Sequence, residues 1–339
     1  MASHAQRSSL LVRQKAAMTD MDRLAGWIPL FLSMRDAKTQ VDWGYMGTER
    51  FTEPFCHDTL ARLAARPFNQ LLRQQSSLEL LLERASSHPG LPLQGMVFHL
   101  SRCGSTLVAQ WLSALTDSVV LSEPEAVDSL LQWPAPAAGA ETIRALLAAL
   151  GQPRRVGDRR LFLKTDCWHT AHIDRLLAAY PDTPWIFLYR DPLEVLVSHQ
   201  RMPGWHLVPG SMKVHGLHPP DELMSQPLGH GAWVLSVILE QARHAMRHHG
   251  NGLLINYDEL PEALENRLAG HFGIDLARQD VDSLRALTGR SAKRAYMAFQ
   301  PDGADKRATA DSAVLEMVER WLIEPYQSLE KIRKETGSA

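Results

Sequence analysis

Cysteine is scarce. Only Cys56, Cys103 and Cys167 occur in 339 residues, far apart and with no CxxC spacing. That argues against a disulfide framework or a cysteine-based zinc site, and it fits a reducing compartment. An excess of charge of one sign is also lacking: 36 Lys and Arg against 38 Asp and Glu give a formal net charge of −2. Nothing global therefore points to nucleic acid or an anionic membrane, and any anion must be held by local groups. Long hydrophobic runs are missing too. The most apolar short stretch, 26–34, is far below the roughly 20 residues that span a bilayer. Residues 1–23 carry charge but no apolar core of signal-peptide length. The expectation is a cytoplasmic protein with no membrane or nucleic-acid partner. At 45% apolar and 22% charged residues, the composition is that of a globular protein.

The chain changes character near residue 95. Residues 1–94 read as a mostly helical and irregular extension, with candidate helices over 11–26, 57–64 and 77–84. No catalytic motif stands out there. From 95 to 339 short apolar runs alternate with helical patterns. Strands are expected at 95–100 (GMVFHL), 118–122 (SVVLS), 160–165 (RLFLKT), 184–190 (PWIFLYR) and 252–257 (GLLINY). Helices are expected over 106–115, 141–150, 172–180, 193–200, 232–248 and 312–336. Alternation of this kind predicts an α/β fold, a three-layer sandwich with helices on both faces of a mainly parallel sheet of about five strands. Two Pro- and Gly-rich loops, 132–140 and 201–220, interrupt it, and long loops in compact domains tend to be functional.

The first strand empties into Ser101-Arg102-Cys103-Gly104-Ser105-Thr106, which opens a helix. A glycine turn at a helix start points backbone N–H groups and the positive end of the helix dipole into one small space. With two hydroxyls and Arg102 added, it can cradle a phosphate. The alternative is an ordinary βα turn with a capping serine. No lysine follows Gly104 and no glycine lies five residues before it, so it is not a Walker A motif. A second stretch, Leu188 to Gln200, follows the fourth strand and places Arg190 at the strand's carboxyl end and Ser198 in the next helix. Ligands of open α/β sheets bind at the carboxyl ends of strands. A surface ion pair of Arg190 with Asp191 or Glu194 is the plainer reading.

Together these residues resemble the sulfotransferase family that uses 3′-phosphoadenosine 5′-phosphosulfate as donor, with features of its protein-tyrosine-sulfating branch. Residues Arg102, Cys103, Gly104, Ser105 and Thr106 match the family's 5′-phosphosulfate motif, with Cys103 in place of the commoner serine. Residues Arg190, Asp191, Pro192, Glu194, Val195 and Ser198 match the 3′-phosphate motif. INYDEL (255–260) also looks like a late stretch of the family fold. The resemblance covers about 95–275 and implies a P-loop nucleoside-kinase-like fold. A donor phosphorylated at both ends needs two anion sites, and two arginine-bearing sites are present; Arg binds phosphate bidentately.

The same resemblance implies roles. Glu123, after the second strand, would be the general base, with Glu125, His169 and His172 as rivals. Lys164, ending the third strand, would neutralise the leaving oxygen opposite Arg102; pairing with Asp166 is the alternative. Lys306 and Arg307 match only loosely a basic loop that closes on the 3′-phosphate, and a solvated charge cluster is the preferred reading there. The histidine pairs 169/172 and 248/249 lack a third ligand of clear spacing, so no metal is expected. The acceptor, a small molecule or peptide with a hydroxyl or amine, would meet loops carrying Trp133, Trp205, His206 and His215. The rival functions are an ATP–Mg phosphotransferase and a non-catalytic nucleotide-binding relative.

Overall fold

The computed structural model describes residues 24–35, 38–133, 139–211, 217–278, 281–288, 290–291, 294–298 and 303–337. The helix expected over 11–26 and His215 fall almost wholly or wholly outside them.

The expected sheet is present. Strands β4 (Leu93–His99), β5 (Ser118–Ser122), β6 (Arg160–Lys164), β7 (Trp185–Tyr189) and β8 (Gly252–Asn256) form a five-stranded sheet in the order β5-β6-β4-β7-β8. Every pairing in it is parallel. All five residues of β7 are buried. Because successive side chains point to opposite faces, both faces must be covered, which is why these strands read as unbroken apolar runs rather than alternating ones. Phe98, Phe162 and Phe187 are fully buried in its core.

The parallel arrangement decides where chemistry can happen. β4 lies between β6 and β7, so the segments leaving their carboxyl ends emerge side by side. Helices begin soon after those ends: α3 (Ser105–Ala114) after β4, α4 (Glu125–Leu131) after β5 and α7 (Pro192–Arg201) after β7. Between α4 and α7 lie α5 (Ala140–Leu150) and α6 (Ile173–Ala179), and α8 (Pro227–His248) precedes β8.

Residues before 94 depart from the mostly helical expectation. β1 (Trp27–Arg35), β2 (Lys38–Tyr45) and β3 (Gln74–Ser77) form an antiparallel sheet in that order, beside α1 (Cys56–Ala64) and α2 (Leu78–Ser87). The β1 and β2 sequences mix polar and apolar residues because one face is covered and the other meets solvent. The free edge of β1 is not left bare, since Leu32 N–H donates to Ser129 Oγ of α4 at 3.0 Å. The extension thus backs the helix that follows Glu123.

The final helix is broken. Ser312–Met317 passes through a π turn, Val318–Leu322, into α10 (Ile323–Gly337); a short helix, α9 (Gly303–Ala308), precedes it. Pro325 lacks an N–H and its ring opposes the carbonyl four residues back, at Trp321, so the helix widens there. No helix among the described residues is long and apolar enough to cross a membrane.

Ser129→Ala would leave the buried Leu32 N–H without its acceptor. We expect a loss of about 1–3 kcal/mol in denaturant unfolding. An unchanged midpoint would show that the extension does not rest on α4 through this bond.

Candidate active site

The turn after β4 is held in left-handed backbone at two positions, Arg102 (φ 59°) and Gly104 (φ 88°). Gly104 is needed twice over. A Cβ there would lie 3.1–3.2 Å from the Tyr257 ring and 3.0 Å from Leu260 Cδ1, in addition to the cost of the positive φ. Ser101, Ser105 and Thr106 are buried around the turn. Burial pushes the Cys103 thiol up to about 12, so it stays a neutral thiol. A neutral, enclosed thiol fits a position that acts through its backbone. The Arg102 guanidinium donates to the Met202 carbonyl at 3.0 Å, at the carboxyl end of α7.

Arg190 follows β7 and is 5% exposed. Its Nε donates to Glu194 Oε2 at 2.7 Å, and its guanidinium lies 4.0 Å from the centre of the Tyr257 ring. Arg307 of α9 donates to the other Glu194 oxygen. The Arg190–Glu194 pair foreseen as a surface contact is therefore formed, but it is buried, and Asp191 instead caps α7 by accepting from Leu193 N–H at 2.8 Å. Lys306 is buried, whereas the Arg307 side chain is half exposed and bonds to Glu194, so the solvated charge cluster preferred from sequence holds for Arg307 only in part. Ser198 is half-buried on α7.

One ring joins these two features. Tyr257 lies against Gly104 and also carries Arg190. The glycine turn and the buried arginine, 86 residues apart in sequence, thus face a common wall. Arg102 and Arg190 also flank one helix, α7, whose stretch from Glu194 to Met202 is on the order of 12 Å at 1.5 Å per residue.

Glu123 is a third strained position (φ 54°) just past β5. Its N–H donates to the Lys164 carbonyl at 2.8 Å, tying it to β6. Its carboxylate pairs with the Lys164 ammonium, and His99 Nε2 lies 3.7 Å from the same oxygen. Lys164 is 1% exposed on its side chain against 22% for Glu123, and its ammonium also lies 5.6 Å from the centre of the Phe55 ring. In this arrangement Lys164 sits beneath Glu123 and does not open onto the crevice or pair with Asp166. Burial pushes the Glu123 carboxyl up, but the Lys164 charge and the His99 contact outweigh it and hold the group well below its usual range. Burial and the neighbouring Glu123 charge push Asp166 well up.

The rival bases are otherwise engaged. Glu125 pairs at the surface with His57 Nδ1 at 2.6 Å. His169 is fully buried: its Nδ1 accepts from Asp166 N–H at 3.2 Å and its Nε2 donates to Asp128 at 2.8 Å. Asp128, Asp166 and His169 bring potential metal-ligand atoms within 4.8 Å of one another. Both His169 nitrogens are spent, however, and Trp168 Nε1 also donates to Asp128 at 2.9 Å, so the group is a hydrogen-bonded clamp between α4 and the turn at 167–172. His172 is buried. Of the acceptor-loop residues, Trp133 packs into the core, His206 is buried and pushed down to about 4 by that burial, with His99 and Arg102 adding, and Trp205 is 77% exposed. Sequence reading passed over His99 and Phe55. The signal for His99 was present, as a polar residue inside an otherwise apolar strand beside the glycine turn. Phe55 had none.

No family model matches the chain, and no curated protein matches it. Among solved structures it is similar to sulfotransferase STF1 from Mycobacterium tuberculosis H37Rv, at 14% identity over 72% of this chain and 82% of that one, with a TM-score of 0.46. It is also similar to sulfotransferase STF9 from Mycobacterium avium, at 15% identity over 71% and 80%, with a TM-score of 0.41. A third is the sulfotransferase domain of the Synechococcus PCC 7002 olefin synthase, at 14% over 72% and 96%, with a TM-score of 0.43. These are distant likenesses of chain course.

Glu123→Gln leaves a buried ammonium without its counter-charge and should cost about 3–5 kcal/mol at pH 7. Glu123→Gln/Lys164→Met removes both partners and should cost less. Because the folded carboxyl lies below its usual 4.5, the penalty of the single variant is complete above that pH and shrinks as pH falls toward the folded value. Urea unfolding of the three proteins measures this. Equal stability of Glu123→Gln and wild type at pH 7 contradicts the pairing.

Proposed function

We propose that this protein transfers a sulfuryl group from 3′-phosphoadenosine 5′-phosphosulfate to a hydroxyl or amine acceptor, with Glu123 as general base. The observation that carries the reading is the shared Tyr257 contact: a glycine turn suited to phosphate and a buried arginine both pack against one ring. A ligand with anionic groups at both ends of a nucleoside suits that layout.

The backbone N–H groups of 103–106, with the Ser105 and Thr106 hydroxyls, would hold the 5′ side at the start of α3, where the helix dipole is positive. Arg190 and Ser198 would hold the 3′-phosphate. Arg190 and Arg307 both bond to Glu194, which gathers two guanidinium groups there for the phosphate. In the transfer the acceptor oxygen or nitrogen bonds to sulfur while the bond from sulfur to the bridging phosphate oxygen breaks. Arg102 would stabilise the charge left on that oxygen, and Glu123 takes the acceptor's proton. Lys164 acts through Glu123, keeping it ionised. A carboxylate held this low is a weak base, so the proton is best accepted late, once bonding to sulfur has acidified it. The reading also places the protein among enzymes that need no metal for the chemical step.

Thermal shift distinguishes the donor classes. Adenosine 3′,5′-bisphosphate should stabilise the protein without metal, and Arg190→Ala should weaken that ligand by about ten- to a hundredfold while affecting the analogue lacking the 3′-phosphate far less. A response only to ATP with magnesium would favour a phosphotransferase. Glu123→Gln should retain the bisphosphate and lose turnover; undiminished turnover removes Glu123 as base.

The pH profile gives a separate check. With Glu123 held below 4.5 by Lys164, kcat/KM should show no acid limb from this group near neutrality. Lys164→Met should move that limb upward, and an acid limb that stays fixed in the variant would contradict the link.

A further inference from the structure

We propose that Asp174, His244 and His249, with His248 beside them, form a binding site for a divalent transition-metal ion of the zinc class, away from the candidate active site. The site does not depend on the proposed reaction.

His249 Nε2 lies 2.8 Å from one Asp174 oxygen, and His244 Nε2 lies 3.7 Å from the other. Two imidazole nitrogens therefore converge on one carboxylate. Tetrahedral zinc with ligand bonds of about 2.0–2.1 Å sets its ligand atoms roughly 3.3 Å apart, and the two observed separations straddle that value. The atoms are not yet gathered into one sphere, but the Asp174, His244 and His249 side chains are 50%, 49% and 28% exposed and can turn. His244 and His248 stand one helical turn apart with rings stacked at 4.1 Å. His248 Nδ1 is tied to the His244 carbonyl at 2.8 Å, so Nε2 is the nitrogen it would offer to a metal.

Three further features favour a cation here. His248 lies in the last turn of α8, His244 one turn before it, and His249 is the C-cap residue, at the negative end of a 22-residue helix dipole. Mixed imidazole and carboxylate donors suit zinc, nickel or copper rather than magnesium or calcium. The hollow beside them, about 430 Å³, is also lined by Glu240. Arg243 and Arg247 line it as well; Arg243 Nε donates to Glu240 at 2.9 Å, which offsets part of its charge. A bound ion would pin the carboxyl end of α8 to α6. Sequence spacing hid the site because its carboxylate lies 70 residues before the first histidine.

The test uses the full chain without a histidine tag, stripped with chelator and titrated with Zn²⁺ against a chromogenic competitor. Wild type should take up one equivalent at micromolar affinity or better. Asp174→Asn and His244→Ala/His249→Ala should each weaken it at least tenfold, whereas His57→Ala, which removes an exposed histidine elsewhere, should not. Circular dichroism checks that each variant is folded, and Asp174→Asn decides if the double variant is not. Affinity weaker than about 100 µM, or an unchanged affinity in the folded Asp174→Asn protein, overturns the proposal.

Discussion

The Tyr257 ring is the contact on which the rest of the site depends. It stands past β8 at the carboxyl edge of a parallel sheet, in van der Waals reach of Gly104 and beneath the guanidinium of Arg190. Parallel strands make this meeting unavoidable. β4, β7 and β8 lie next to one another and point the same way, so the segments that leave them must share one edge. A glycine is the residue that lets the ring approach the turn. An arginine is the cation whose flat face can rest on an aromatic ring while its edge still presents N–H donors.

A second constraint acts at β5 and β6. Lys164 is almost wholly enclosed, and a buried ammonium is costly unless its charge is met. Glu123 meets it, and its backbone N–H is held by the Lys164 carbonyl. The result is a carboxylate fixed in strained backbone just past β5, ionised at neutral pH and partly exposed. Strain of this kind persists where surrounding structure over-determines it. Here the surroundings include α4, clamped by Asp128 to Trp168 and His169 and backed by β1 through Ser129. The N-terminal sheet therefore contributes to the geometry of the candidate base, and Phe55 supplies a wall beside Lys164.

The five parallel strands were legible in the sequence to within one or two residues because buried strands carry unbroken apolar runs between turn signals. The glycine turn and the arginine strand-end were legible because such side chains have few structural uses at those places. The antiparallel sheet before residue 94 was not: its strands, such as KTQVDWGY, are half-exposed and polar on one side, and β3 reaches β2 only across the long connection 46–73. The depth of Lys164 was hidden for a related reason. A strand-end lysine looks exposed until the extension that covers it is placed. The engagement of Arg307 with Glu194 spans 113 residues and has no local signature.

The most direct measurement is a crystal structure of the protein with adenosine 3′,5′-bisphosphate bound. The account predicts one nucleotide lying along the Tyr257 wall, its 5′-phosphate on the N–H groups of 103–106 and its 3′-phosphate on Arg190. A nucleotide bound elsewhere, or Arg102 and Arg190 opening into separate clefts, would contradict it.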